Sequence, residues 1–259
     1  MDRQLEHWAL VRRTDQPNSR LAIFVHGFRG GYLSTWGRLP DCLRDFSDNH
    51  PVFGSWDYLF IGYQTSSIAS FLRIAELIAT QWQRAAEGEP PFLQRYAKLA
   101  LFGHSLGTLG VRQLLCATSK QPSGLISALH SVVLFGSPLN GSPLAPFGRA
   151  SRVIDMFRGP AALLPSSYAI ADALRPDSPH IEMLRTWTAT IRQYVRLPDP
   201  LVIQGTDDAV VGTSGSHMQP WDGDRLGVTA LDHRDLSKIY DPGCWANSSF
   251  VDTLHGALK

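Results

Sequence analysis

Short apolar runs alternate with longer segments of helical period along this chain. Leu21-Ala-Ile-Phe-Val25 is apolar at every position and stops at His26-Gly27, which predicts a buried strand followed by a turn. Trp56 to Ile61 is a second run of this kind, closed by Gly62, and Trp36 to Phe46 between them predicts a short helix. From Ile68 onward the apolar positions fall at Phe71, Leu72, Ala75, Ile78, Ala79 and Trp82, the spacing of an amphipathic helix, with Ser66 or Ser67 as its N-cap. Leu99–Phe102, Val132–Phe135, Leu201–Ile203 and Leu226–Ala230 read as further strands. Leu106–Thr118 and Phe250–Leu258 read as further helices.

Strands that are apolar on both faces and separated by helices predict an α/β protein, with a mostly parallel central sheet covered on both sides. One segment breaks this rhythm. Residues 141–180 mix Pro, Ser and Gly with apolar side chains over a length no ordinary connection needs, which predicts an insert above a site or, as the second reading, a loosely structured excursion. Ser178-Pro179 then supplies an N-cap and first helical residue for a helix running to about Val195. The chain is thus expected to be a single domain over 1–259 with a helical cap or lid insert at about 141–199.

Composition narrows the partners. The 259 residues are 44% hydrophobic and 18% charged with a formal net charge of +1, so no strong field favours nucleic acid or an anionic membrane. No apolar stretch approaches the ~20 residues of a membrane span. Cys42, Cys116 and Cys244 are widely spaced with no Cys-x-x-Cys pair, which fits reduced thiols and a cytoplasmic protein. No metal cluster or cofactor motif is present. The first strand leads into His-Gly-Phe-Arg-Gly-Gly rather than the G-x-G-x-x-G of a dinucleotide-binding fold.

The chemistry is expected at Gly103-His104-Ser105-Leu106-Gly107, a G-x-S-x-G placed between a strand and a helix. Glycines on both sides let the chain turn tightly, so that the Ser105 hydroxyl projects at the sheet edge beside a helix N-terminus that favours an oxyanion. A serine nucleophile needs a base and a group that fixes the base's tautomer. Leu201-Val-Ile-Gln-Gly-Thr-Asp-Asp offers Asp208 as the acid, with Asp207 as the near alternative. Of the nine histidines, His217, His233 and His255 follow this acid; His233, 25 positions after Asp208, has room for one more strand between them. Two backbone donors complete an oxyanion hole: the N–H of Leu106, directly after the nucleophile, and the N–H of Phe28 after the first strand. His26 is read as an imidazole that holds this loop by hydrogen bonds. Phe28, Leu106, Leu139, Leu144, Phe147, Met156 and Phe157 are candidates to line an acyl pocket.

With these residues placed, "IFVHGF", "FGHSLG", "FGSPLNGS", "GTDDAVV" and "DHRDLSK" resemble the α/β-hydrolase superfamily, and within it the lipase-like serine esterases that include GPI inositol deacylases and serine-active-site proteins. The resemblance implies the α/β-hydrolase fold, Ser105 as nucleophile, His233 as base, Asp208 as acid and no cofactor. Where many relatives carry Gly after the second elbow glycine, this chain has Thr108. The implied activity is hydrolysis of a small-molecule or lipid ester. An acyltransferase or thioesterase would use the same residues, and a non-catalytic binding module is the reading from another class.

Overall fold

The computed structural model describes residues 8–12, 19–46, 50–65, 70–90, 92, 94–118, 124–142, 170, 172–176, 178–212, 219–240 and 249–259. Its centre is a seven-stranded sheet made of β1 (Trp8–Val11), β2 (Arg20–Val25), β3 (Asp57–Ile61), β4 (Lys98–His104), β5 (Leu129–Phe135), β6 (Leu201–Gly205) and β7 (Arg225–Thr229). The spatial order is β1-β3-β2-β4-β5-β6-β7. β1 runs antiparallel to β3, and every other pairing is parallel.

Alternation along each strand builds two cores, one on each face. Leu21, Ile23, Val25, Leu99 and Leu101 point to a face covered by α2 (Phe71–Glu87), α3 (Leu106–Thr118) and the helix we number α5 (Pro179–Arg192). Ala22, Phe24, Phe60, Phe102 and Phe135 point to the other, where α1 (Leu39–Phe46) and the C-terminal helix α6 (Ser249–Leu258) lie. On that second face the Phe24 ring stacks between Phe60, at 4.8 Å, and Phe102, at 4.6 Å. Burying each such ring stabilises the fold by about 1.5–3 kcal/mol, so three adjacent strands are tied through one side chain. A short helix α4 (Gly124–Ala128) precedes β5.

Several expected boundaries shift. The N-cap position of α2 is Ser70, not Ser66 or Ser67, which lie outside the described residues, and the helix runs on to Glu87, where Gly88 closes it at φ +73°. Trp36 belongs to a 3-10 turn, Ser34–Trp36, and α1 proper begins at Leu39. β1 was not foreseen. Only four residues long, it gains its place by pairing with β3 at the sheet edge. Ser178 caps α5 as expected, its Oγ accepting from the His180 N–H at 3.3 Å.

Of the segment expected to form a cap, residues 143–169 lie outside the described residues. Its C-terminal part, α5, buries Ile181 and Leu184 in the same core as α3. A buried ion pair joins α3 to the turn before β7: Arg112 reaches Asp224 at 2.5 Å, with both side chains at most 1% exposed. The Arg112 guanidinium also lies 4.4 Å over the Trp221 ring.

Candidate active site

The parallel strands β2, β3, β4, β5 and β6 all end at one edge of the sheet, the edge at which open α/β sheets place their sites. Ser105 lies there, between the last residue of β4 and the first of α3. Its φ is +53°, and among the described residues Arg29 (φ +55°) is the other non-glycine residue in the left-handed region. Such a conformation costs of order 1–3 kcal/mol and persists only where the surroundings impose it. They do so here from two sides. A Cβ on Gly107 would fall 2.4 Å from the Val25 carbonyl oxygen, so α3 sits hard against the end of β2. The Ser105 N–H donates to the Phe135 carbonyl at 2.9 Å, which ties the turn to β5.

The Ser105 carbonyl is held as well. It can only accept, so the Thr108 hydroxyl donates to it at 2.6 Å, and the Ser137 hydroxyl in turn donates to Thr108 at 2.7 Å. Gln204 Nε2 donates to the Ser137 carbonyl at 2.8 Å. A buried chain of hydrogen bonds therefore runs from the serine turn across β5 to β6. Thr108, which departs from the glycine of the resemblance, is the residue that starts it.

Asp208 and His233 meet. Asp208 leaves the end of β6 almost fully buried, and its Oδ2 lies 2.7 Å from His233 Nδ1. Its Oδ1 accepts from the Val210 and Val211 N–H groups at 3.0 and 2.9 Å. Those two amides fix the carboxylate, and the carboxylate fixes the imidazole with its proton on Nδ1. His233 also lies against the exit of β5, since a Cβ on Gly136 would approach its Nδ1 to 3.0 Å. The imidazole thus lies against Gly136, the residue after the Phe135 whose carbonyl holds Ser105. Asp207 is exposed and takes no part in this arrangement. His255 is on α6 beside His50, at 5.5 Å between rings, and His217 lies outside the described residues.

The loop after β2 is positioned by His26. Its Nε2 accepts from the Tyr63 N–H at 3.1 Å, so the ring proton is on Nδ1, which donates to the Gly27 carbonyl at 2.8 Å. The Tyr63 hydroxyl donates to the His26 carbonyl at 2.5 Å, and the two rings stack at 4.1 Å. Burial pushes the His26 pKa down to about 4, so the ring stays neutral and keeps this bonding. Gly30 N–H closes the turn on the Gly27 carbonyl at 3.1 Å, and Arg29 N–H donates to Thr65 Oγ1 at 3.2 Å. Phe28 is half-buried at the head of this turn, and Leu106 opens α3, where first-turn amides have no intrahelical acceptor. Leu139 is buried, its carbonyl accepting from Trp221 Nε1 at 2.9 Å. Leu144, Phe147, Met156 and Phe157 lie outside the described residues.

Sequence reading assigned nothing to His104. It is the last residue of β4, buried, and its Nε2 lies 2.7 Å from the His233 carbonyl oxygen. Among the described residues no group of three or more His, Cys, Asp or Glu side chains could hold a metal ion. No helix of the described residues is long and apolar enough to cross a membrane.

No family model matches this sequence, and no curated protein does. Solved structures do match. The mature form of lipase BlEst2 from Bacillus licheniformis superposes with a TM-score of 0.61 at 15% identity, over 89% of this chain and 92% of that one. Esterase RhEst1 from Rhodococcus gives 0.53 at 19% identity over 98% and 95% of the two chains. The chain has the α/β-hydrolase fold. Phospholipase PlaB from Legionella pneumophila matches with a TM-score of 0.66 at 17% identity, and this chain spans 59% of that one while 93% of its own length is covered.

Proposed function

We propose that this α/β-hydrolase is a serine carboxylic-ester hydrolase with Ser105 as nucleophile, His233 as general base and Asp208 as the acid that orients the base. The observation that carries the reading is the 2.7 Å contact between His233 Nδ1 and Asp208 Oδ2, with the His233 ring 4.8 Å from that of His104, the residue before a serine held at positive φ. With its proton fixed on Nδ1, His233 presents a bare Nε2 as base.

Ser105 Oγ attacks the ester carbonyl carbon as His233 Nε2 takes its proton, and the carbonyl oxygen becomes an oxyanion. The N–H groups of Leu106 and Phe28 hold that oxyanion, helped by the positive end of α3. The tetrahedral adduct collapses, the alkoxide leaves with the proton from His233, and an acyl-serine remains. Water then attacks the acyl carbon with His233 again as base, and a second collapse frees the acid and returns the proton to Ser105. Asp208 stays ionised throughout and stabilises the imidazolium.

For the substrate we propose a lipid or other small ester, taken under a cap formed from about residues 141–199. Two considerations support this class: the motif resemblance to inositol deacylases and the lipase and phospholipase named among the similar structures. Cys42 and Cys116 are buried thiols, which fits a reducing compartment, and we place the protein in the cytoplasm. Hydrolysis of p-nitrophenyl esters of graded chain length tests the reading. The expected result is turnover that rises with acyl length and is absent from Ser105→Ala; turnover that survives in Ser105→Ala would overturn it.

A further inference from the structure

We propose that His104 is a positioning residue for the base: its Nε2–H, donated to the His233 backbone carbonyl, holds the His233 loop in register with the serine turn. The proposal rests on the assignment of His233 as base. It concerns a side chain that this mechanism leaves unused.

A backbone carbonyl only accepts, so the 2.7 Å contact between His104 Nε2 and the His233 oxygen requires the proton on Nε2 of His104. The two rings lie 4.8 Å apart at 44°. The same ring lies close to the loop after β2, since a Cβ on Gly27 would come within 3.2 Å of His104 Nδ1. One imidazole therefore lies beside the residue before Phe28 and holds the main chain of His233, and it is bonded in sequence to Ser105.

The His233 side chain has its own anchor in Asp208, but its main chain belongs to the loop between β7 and the 3-10 turn at Asp235–Ser237. Fixing the carbonyl fixes the Cα, and with it the swing of the ring about the Asp208 contact. The groups that face His104 electrostatically are His233, His26 and Lys238, each positive or able to become so. Burial, reinforced by these neighbours, pushes its pKa down to about 3, so it remains neutral. A neutral donor can sit beside His233 without opposing the positive charge that forms on it during acyl transfer, whereas a second imidazolium there would repel it.

The test pairs His104→Leu, which removes the donor, with His104→Gln, whose Nε2 can replace it. In long-range proton–nitrogen spectra of histidine-labelled protein, His104 should show the Nε2–H tautomer at pH 7. The low-field proton of His233 bound to Asp208 should broaden in His104→Leu and persist in His104→Gln. On a p-nitrophenyl ester, His104→Leu should lose kcat by about 10- to 100-fold, the range a small misplacement produces, with KM within about twofold. His104→Gln should recover most of that loss. If His104→Leu does not fold, the tautomer in the wild type and the spectrum and kcat of His104→Gln decide the matter. An Nδ1–H tautomer, or an unchanged His233 signal and kcat in His104→Leu, would overturn the proposal. Wild-type protein that shows the expected spectra but hydrolyses no ester would leave the positioning contact standing and overturn the esterase reading instead.

Discussion

Gly27 faces Ser105 so closely that a Cβ on Gly27 would lie 2.5 Å from the Ser105 Cβ and 3.0 Å from the His104 carbonyl oxygen. The loop that supplies Phe28 and the turn that supplies Ser105 are therefore packed backbone to backbone. Gly27→Ala should push them apart, misplacing the Phe28 N–H that we propose as an oxyanion donor. We expect kcat/KM to fall by about 10- to 100-fold. Steady-state ester hydrolysis checks this, and unchanged kcat/KM would mean that the loop carries no oxyanion donor.

The Asp208 carboxylate accepts on both oxygens, from His233 on one and from two amides on the other. In Asp208→Asn the side-chain oxygen can still take the amides, which turns its NH2 towards His233. The imidazole must then accept at Nδ1, placing its proton on Nε2, where it can no longer take one from Ser105. Activity should drop by about 1,000- to 10,000-fold while the protein stays folded. Asp207→Asn, at an exposed position, should stay within about twofold of wild type in the same assay.

Thr108 and Ser137 act as a pair. Thr108→Val keeps the shape but leaves the Ser105 carbonyl without its 2.6 Å donor and the buried Ser137 hydroxyl without its acceptor. Denaturant melts should show a loss of about 1–3 kcal/mol. Ser137→Ala should cost less, and the two effects should not add, because both remove links of one chain. Strict additivity would break the chain into unrelated contacts.

Two buried imidazoles set the acid side of the stability curve. In the unfolded chain His26 and His104 take up protons below their ordinary value of 6.5, but in the folded protein only near about 4 and about 3. The unfolded state thus binds more protons between those limits, so stability is full above pH 6.5 and is lost as the pH falls. Each site contributes a slope of about 1.4 kcal/mol per pH unit within that window. Denaturant titrations at pH 7, 6 and 5 should show the loss, and His104→Gln should lose less. An identical slope in His104→Gln would mean that His104 carries no share of it.

How much of this was written in the sequence follows from the range of each interaction. β2, β4 and β5 were legible because each is a dense apolar run beside a turn residue; their alternation with helices gave a mostly parallel α/β sheet, and the motif resemblance implied the α/β-hydrolase fold. β1 was not, because Trp8–Val11 is short and half-exposed and exists only through its pairing with β3. Asp208 could be preferred to Asp207 only by position; the structure separates them by burial. The roles of His104 and Thr108 were not legible for a different reason. Their partners, the carbonyl of a residue 129 positions away and a hydroxyl 29 away, leave no local pattern. Residues 143–169, which carry four of the side chains expected in an acyl pocket, lie outside the described part of the chain.

On the proposed mechanism Ser105 is a nucleophile activated through His233 and Asp208. Intact-protein and peptide mass spectrometry after exposure to a fluorophosphonate tests it without knowledge of the substrate. The expected result is a single adduct on the Ser105 peptide, its formation slowed by orders of magnitude in His233→Ala and absent from Ser105→Ala. Wild-type protein that takes up no probe, or an adduct that persists in Ser105→Ala, would contradict it.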